Sequence, residues 1–279
     1  MSLTITICTP SYNRAHLLKN LFHSLIRQNF NQLQWIIVDD GSDDDTKSIV
    51  DEFIKHTPFD ILYLYQTHKG KHQAINYALQ HTKSDLFAII DSDDICLPST
   101  LHELETLYNK SYSTNKQIAG FISLNCDPDH NIIGDSFPTN LQFSNFIDLK
   151  YRYNIQGDKW VVFYTKILQQ YPFTTFENEL FIAESSVWVP ISKKHQFILI
   201  NKPLIQISYQ KDGLSNQSKL LRKNSPQGSV YTYSQIFTSS IKPSAKLKAV
   251  INCIRFAIYH PKALKQCFQN IYKTFLAFQ

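Results

Sequence analysis

Three carboxylates crowd into four positions at 91-DSDD-94, namely Asp91, Asp93 and Asp94, directly after the apolar run 86-LFAII-90. Charges of one sign packed this closely repel, and no Lys or Arg beside them in the sequence offsets that. Hard oxygen donors at a strand end suit Mg²⁺ or Mn²⁺, which take one or two carboxylates and complete the shell with phosphate oxygens and water. The competing reading is a solvated turn, with Asp94 or Ser99 capping the next helix. Two further polar clusters bear on the choice: TPSYNR (9–14) ends the first apolar run, and DDGSDD (39–44) follows the second. Neither acidic cluster has the glycine and closing glutamate of a calcium loop. G-x-G-x-x-G and G-x-x-x-x-G-K-[ST] are both absent. His68 and His72 are four residues apart, but Gly70 between them is expected to start a helix. Solvated or hydrogen-bonded histidines are therefore expected there rather than a metal site.

The elements that must position these clusters can be read from hydrophobic spacing. LTITIC (3–8), WIIV (35–38), ILYLY (61–65) and LFAII (86–90) have the size and composition of buried strands. Between them lie the amphipathic stretches 14–28, 44–56 and 72–82, with apolar residues at helical spacing. The alternation predicts an α/β fold, a Rossmann-like, doubly wound and mostly parallel sheet. In such a sheet ligands bind outside the carboxyl ends of the strands. Position along the chain thus puts all three clusters on one rim, which favours a bound ligand over three unrelated turns. Further β-like runs (QIAGFISL, WVVFY, QFILI, PLIQISY) occupy 118–210, with a helix expected around Glu179–Val189.

The 279 residues suit one large domain or a domain with an appendage, and 43% apolar residues allow a real core. MSLTITICTPSYNR has no basic segment leading into an apolar one, so no secretory leader is expected. No window reaches 18 apolar residues free of charge, so no membrane span is expected either. Five scattered cysteines without a C-x-x-C pair fit a reducing, cytoplasmic setting and no recognisable zinc site. The net charge of +5 is unevenly distributed. After Asp212 there is no Asp or Glu, while ten Lys and Arg fall between Lys219 and Lys273. The first 212 residues carry the other 18 basic side chains against all 23 acidic ones, a net of −5.

TPSYNR, VDDGSDD, HKGKHQAIN and DSDD with a Pro four residues on, in this order and spacing, resemble a family-2 inverting glycosyltransferase of the GT-A fold. The match is dense over about residues 3–100. The resemblance implies that the clusters cup the nucleotide of a sugar-nucleotide donor and that D-x-D carries Mn²⁺ or Mg²⁺. It places Thr9, Pro10, Tyr12 and Arg14 around the nucleotide, with Asp39 or Asp40 bonded to the base. It also places Lys71 near the base and diphosphate, Asp91 and Ser92 near the ribose, and Asp93 with Asp91 on the ion. Asp94 would face the sugar or acceptor. Further on, GDK (157–159), FENELFIAESSVW (176–188) and YQKDGLS (209–215) resemble a subgroup whose base is a Glu on the helix after the metal strand. Glu184 stands there, with Glu177 and Glu179 as rivals expected to be exposed on the preceding loop. Asp158 is the acceptor-side candidate, although Gly-Asp-Lys is also an ordinary turn. Family members often carry an Asp directly after the catalytic acid, where this chain has Ser185, so Glu184 would act alone.

The implied activity is metal-dependent, inverting transfer from a UDP-linked or other nucleoside-diphosphate sugar. The acceptor would be a saccharide or lipid-linked hydroxyl, in bacterial surface-glycan synthesis. A sugar nucleotidyltransferase would need a Gly-rich, Arg-containing loop after strand one, which SYNRAHL is not. A non-catalytic nucleotide-sugar-binding protein would not need both metal carboxylates and a base. The expected organisation is a catalytic domain over 1–214, with a nucleotide-sugar half to about 100 and an acceptor half over 101–214. Residues 215–279 would form a basic amphipathic helical tail. In 243–279, Ile251, Ile254, Ile258, Leu264, Phe268, Ile271 and Phe275 are expected on one apolar side. Lys246, Lys248, Arg255, Lys262, Lys265 and Lys273 are expected to face an anionic membrane, the inner face of the cell membrane. No nucleic-acid module is recognisable. The competing picture is a helical cap packed on the domain with its basic face in water.

Overall fold

The computed structural model describes residues 2–111, 117–210 and 213–276. Strand and helix alternate first: β1 (Ile5–Ser11), α1 (Ala15–Ile26), β2 (Leu33–Asp39), α2 (Thr46–His56), β3 (Asp60–Tyr65), α3 (Lys71–His81) and β4 (Leu86–Ile89). A two-residue β5 (Ile95–Cys96) and α4 (Thr100–Ser111) follow, then β6 (Ile118–Cys126), β7 (Phe143–Ser144) and α5 (Phe146–Tyr151). Next come β8 (Lys159–Tyr164), α6 (Thr165–Leu168), α7 (Ser185–Ser192) and β9 (Gln196–Gln206). The chain closes with α8 (Leu214–Asn224), α9 (Pro226–Phe237), α10 (Pro243–Ala257) and α11 (Pro261–Leu276).

Among the described residues the nine strands form one sheet, ordered β3-β2-β1-β4-β8-β6-β9-β5, with β7 also on β9. β1, β2, β3 and β4 are parallel, and β8 runs against both β4 and β6. β6 and β9 are again parallel, so only β8 and the short β5 and β7 oppose the main direction. The sheet is covered on both faces. Leu18, Leu21, Phe22, Val50 and Phe53 of α1 and α2 pack with Ile5, Ile7 and Trp35 on one side. Ala74, Ile75 and Ala78 of α3 pack with Ile36, Val38 and Phe87 on the other. Burial of this apolar surface at roughly 25 cal/mol per Å² is what drives the layers together.

Two elements differ from the sequence expectation, each for a local reason, and the basic tail packs as in the competing picture of a helical cap. QFILI and PLIQISY are one strand, β9, interrupted by register shifts opposite Ser123–Asn125 where Pro203 enters the ladder. Proline cannot donate a ladder hydrogen bond, so an irregularity there is expected. The helix expected from Glu179 begins only at Ser185. Asn178 turns the chain with φ 60°, and Glu179 bonds elsewhere. The basic tail is not free: α10 and α11 pack on α9 through the small residues Ala249, Cys253, Ala257, Ala263 and Cys267. The Cys253 and Cys267 sulfurs meet at 2.9 Å between the two helices.

Candidate active site

The carboxyl ends of β1, β2, β3 and β4 share one rim, and the three polar clusters emerge there. DDGSDD builds its own loop first. Asp44 Oδ2 accepts from the Ala15 amide at 2.9 Å, and Oδ1 accepts from the Thr46 amide at 3.1 Å. One side chain thus satisfies exposed amides at the starts of both α1 and α2. Asp39, 2% exposed, accepts from the Ser42 amide at 2.8 Å and the Tyr63 hydroxyl at 2.6 Å. Asp40, 3% exposed, accepts from Gln66 Nε2 and from the Lys69 and Gly70 amides, at 2.6, 2.7 and 2.9 Å. The Asp40 carboxylate therefore shapes the 66–70 turn, while that of Asp39 ties the 39–42 loop to β3.

That turn delivers Lys71 to the rim. Gly70 has φ +90°, and a Cβ there would lie 2.0 Å from the Leu180 carbonyl oxygen, so only glycine fits. Tyr12, half exposed, stacks on His68 with ring centroids 4.1 Å apart. His68 is thus engaged with Tyr12 at the rim, and among the described residues it belongs to no group of side chains placed to hold a metal ion. Pro10 is half-buried beside it and Arg14 half-buried at the start of α1. Thr9 is different: β1 continues through Ser11, so alternation turns Thr9 inward, where its hydroxyl accepts from Trp35 Nε1 at 2.9 Å. Its side chain is fully buried, so any part it has at the rim is through the backbone.

Asp91, Asp93 and Asp94 converge, with one carboxylate oxygen of each within 4.8 Å of the others. Burial, then the charges of Asp91 and Asp93, pushes the Asp94 carboxyl up to about 8. Burial and Asp91 also raise Asp93, although Arg14 and Lys71 pull it back. This frustration is what a divalent cation relieves, and three half-buried oxygen donors fit Mn²⁺ or Mg²⁺. Ser92 is buried between them.

Lys71 links this cluster to the far side of the site. Its Nζ lies 2.7 and 2.8 Å from the two oxygens of Asp91 and 3.0 Å from Glu184 Oε1. Burial pulls the ammonium down, but Asp91 and Glu184 outweigh it and hold Lys71 above the usual lysine range. Glu184 sits at the start of α7 without capping it, which leaves its half-exposed carboxylate for the site. Its rivals are elsewhere. Glu177 is exposed. Glu179 is not exposed as expected but buried, accepting from the Gln227 and Gly228 amides at 2.8 and 2.7 Å. It caps α9 and is committed there, because the first amides of a helix attract a carboxylate. Glu179→Ala should therefore cost about 2–3 kcal/mol by orphaning two amides, read as a lowered Tm.

Asp158, the acceptor-side candidate, is exposed and accepts from the Tyr209 hydroxyl at 3.0 Å. Burial, then Asp158, pushes that phenol up to about 12, with Asp94 contributing. Tyr209 thus stands between Asp158 and the acidic cluster. Sequence reasoning assigns no role to Tyr209 in YQKDGLS (209–215), because a contact across 51 residues leaves no local signal. Lys211 and Asp212 of that stretch lie outside the described residues.

His72, next to Lys71, is 4% exposed, and burial draws its imidazole down to about 4. The folded protein refuses a proton that the unfolded chain takes near pH 6.5. Stability should therefore fall as pH drops from 6.5 towards 4, by about 3 kcal/mol at most. Melting curves of wild type and His72→Gln across that window check this, since the variant should lose that part of the acid limb.

Residues 6–164 match the model of the family described as Glycosyl transferase family 2. The chain belongs to glycosyltransferase family 2. This family-2 chain is 26% identical over 200 residues to the GalNAc(5)-diNAcBac-PP-undecaprenol beta-1,3-glucosyltransferase of Campylobacter jejuni, covering 70% of the chain and 62% of that relative. It spans between 32% and 62% of the first curated relatives it matches. Among solved structures it resembles S. aureus TarS 1–349 in complex with UDP-GlcNAc, with TM-score 0.62 and 16% identity over 92% of this chain and 72% of that one. It also resembles the mannosyltransferase PcManGT from Pyrobaculum calidifontis in complex with GDP-Man and Mn²⁺, with TM-score 0.57 and 17% identity, covering 98% and 75%. Likeness at this level shows the fold, and for this family-2 chain the fold is GT-A.

Proposed function

We propose that the protein transfers a sugar, with inversion, from a nucleoside-diphosphate donor, UDP-linked by preference, to a hydroxyl of a saccharide or lipid-linked acceptor. The observation that carries this reading is Lys71, which ties Glu184 and Asp91 to one ammonium and so sets a base beside the metal carboxylates. Tyr12, Pro10 and Arg14 line the nucleotide end, with His68 stacked on Tyr12, and Ser92 is buried within the acidic cluster. Asp93, with Asp91, would hold Mn²⁺ or Mg²⁺, which when bound stabilises charge building on the departing diphosphate. Glu184 takes the proton from the acceptor hydroxyl as its oxygen attacks the anomeric carbon opposite the diphosphate. The C–O bond to the diphosphate breaks as the new glycosidic C–O bond forms, and one displacement inverts the centre. Asp94, and Asp158 with the Tyr209 hydroxyl bonded to it, face the incoming acceptor.

The Campylobacter relative's name specifies an undecaprenol-linked acceptor, which supports a lipid-linked acceptor for this protein. The UDP-GlcNAc and Mn²⁺ complexes of the structural neighbours support the donor class and the metal. Among the described residues no helix is long and apolar enough to cross a membrane. A cytoplasmic enzyme reaching its acceptor at the inner face of the cell membrane fits these features. Screening a panel of nucleotide sugars for release of nucleoside diphosphate, with and without Mn²⁺, tests the proposal. Release from one donor only with metal supports it; release from none with any saccharide or polyprenyl-linked acceptor counts against it.

A further inference from the structure

Sequence periodicity assigned one apolar side to α10 and α11, but the structure divides the apolar residues between two faces. Ala249, Cys253 and Ala257 of α10 and Ala263 and Cys267 of α11 face α9, joined by Leu264 and Ile271. On α10 the opposite face carries Leu247, Ile251, Ile254 and Ile258, spaced i, i+4, i+7, i+11, with Leu247 and Ile258 61% and 62% exposed. On α11 Phe268 and Tyr272, one turn apart, are 57% and 66% exposed. Phe275 lies outside the described side chains. Single exposed apolar residues are ordinary, but six on the solvent sides of two helices packed against each other leave apolar surface that calls for a partner.

Charge identifies the partner. Lys248 and Arg255 follow Leu247 and Ile254 along one edge of the stripe, and Lys262, Lys265 and Lys273 are exposed on α11. A second copy of this chain docking here through the same face would oppose like charges, because no acidic residue follows Asp212. An anionic bilayer accepts both parts, apolar side chains at the acyl boundary and cations among the headgroups. The positive field also continues towards the candidate site. Lys150 on α5 lies within electrostatic reach of Arg222 on α8, Lys248 on α10 and Asp158 on the acceptor side.

We propose that the outer face of α10 and α11 seats the protein on an anionic membrane surface, with Leu247, Ile251, Ile254, Ile258, Phe268 and Tyr272 at the acyl boundary. The proposal takes from the functional reading only that the acceptor is carried on a lipid. The test is co-sedimentation of the full chain with vesicles of phosphatidylcholine alone and of phosphatidylcholine mixed with phosphatidylglycerol. Binding should require the anionic lipid and weaken as salt rises to physiological, where screening acts within about 8 Å. Ile251→Asn with Phe268→Ser should lower binding by about tenfold or more. Lys248→Gln and Arg255→Gln should lower it by about fivefold each. These positions are exposed, so melting temperature and UDP binding should hold; if the apolar pair lowers the melting temperature, the charge variants decide. Binding that ignores anionic lipid, or that survives all four substitutions, overturns the proposal. So does self-association that Ile251→Asn abolishes while vesicle binding persists, or equal binding to duplex DNA at the same salt. Asp93→Asn protein should bind vesicles as wild type does, so failure of the catalytic reading and failure of this one are told apart.

Discussion

Asp93→Asn should lower metal-dependent turnover by at least about 10³-fold while leaving the fold intact or slightly more stable. The two halves of that result have one cause. Burial and Asp91 raise the Asp93 carboxyl above its ordinary value, so holding it ionised at neutral pH costs stability in the metal-free protein. Removing the charge relieves that cost and removes a ligand together. Differential scanning fluorimetry should show an unchanged or higher Tm for the variant without metal, and no further rise on adding Mn²⁺ with UDP. Donor turnover measured beside it should be lost. A variant that keeps near-wild-type rates with Mn²⁺ would remove the metal from Asp93.

Glu184→Gln should leave UDP binding nearly unchanged and slow transfer by about 10²–10⁴, the usual worth of a general base. The amide can still accept from Lys71 through its oxygen, so the geometry at 3.0 Å has reason to persist. What is lost is the site that receives the proton. Calorimetry with UDP and a transfer assay on one preparation separate the two roles. Weakened UDP binding with full residual transfer would move the base elsewhere. The structure leaves Asp94 as the next candidate, since Glu179 is buried against the backbone of α9.

The rim was legible because strand period and cluster position are local properties: β1, β2 and β4 fall where the apolar runs are, and parallel pairing aligns their ends. Asp91, Asp93 and Asp94 converge because they are neighbours in the chain. Long-range pairings were not legible. Nothing near Glu179 says that its carboxylate closes on amides 48 and 49 residues away, and nothing near Tyr209 points to Asp158. The inward turn of the Thr9 side chain was not legible, since β1 runs three residues past the apolar segment that announced it. In α10 and α11, hydrophobicity located the large side chains correctly along the helix but not their partners. Close approach to α9 is made by alanine and cysteine, whose small volume lets backbones pack, and this left most of the larger residues outside.

The clasp of Glu179 on the first amides of α9 has a mechanical meaning. Gly228 lies so close that a Cβ there would meet the Phe181 carbonyl oxygen at 2.9 Å, which leaves this joint no slack. Glu184 is five residues from Glu179, and α9 supports the two outer helices through Val230 and Cys253. The proposed base and the outer helices are therefore joined through α9 by short buried contacts. Repacking at Val230 or Cys253 that tilts α9 should therefore displace the proposed base, and misplacement of about 1 Å in a reacting group costs about 10²-fold in rate. Substitutions in this distant seam then belong with the active-site variants when rates are compared, although they touch none of the reacting atoms.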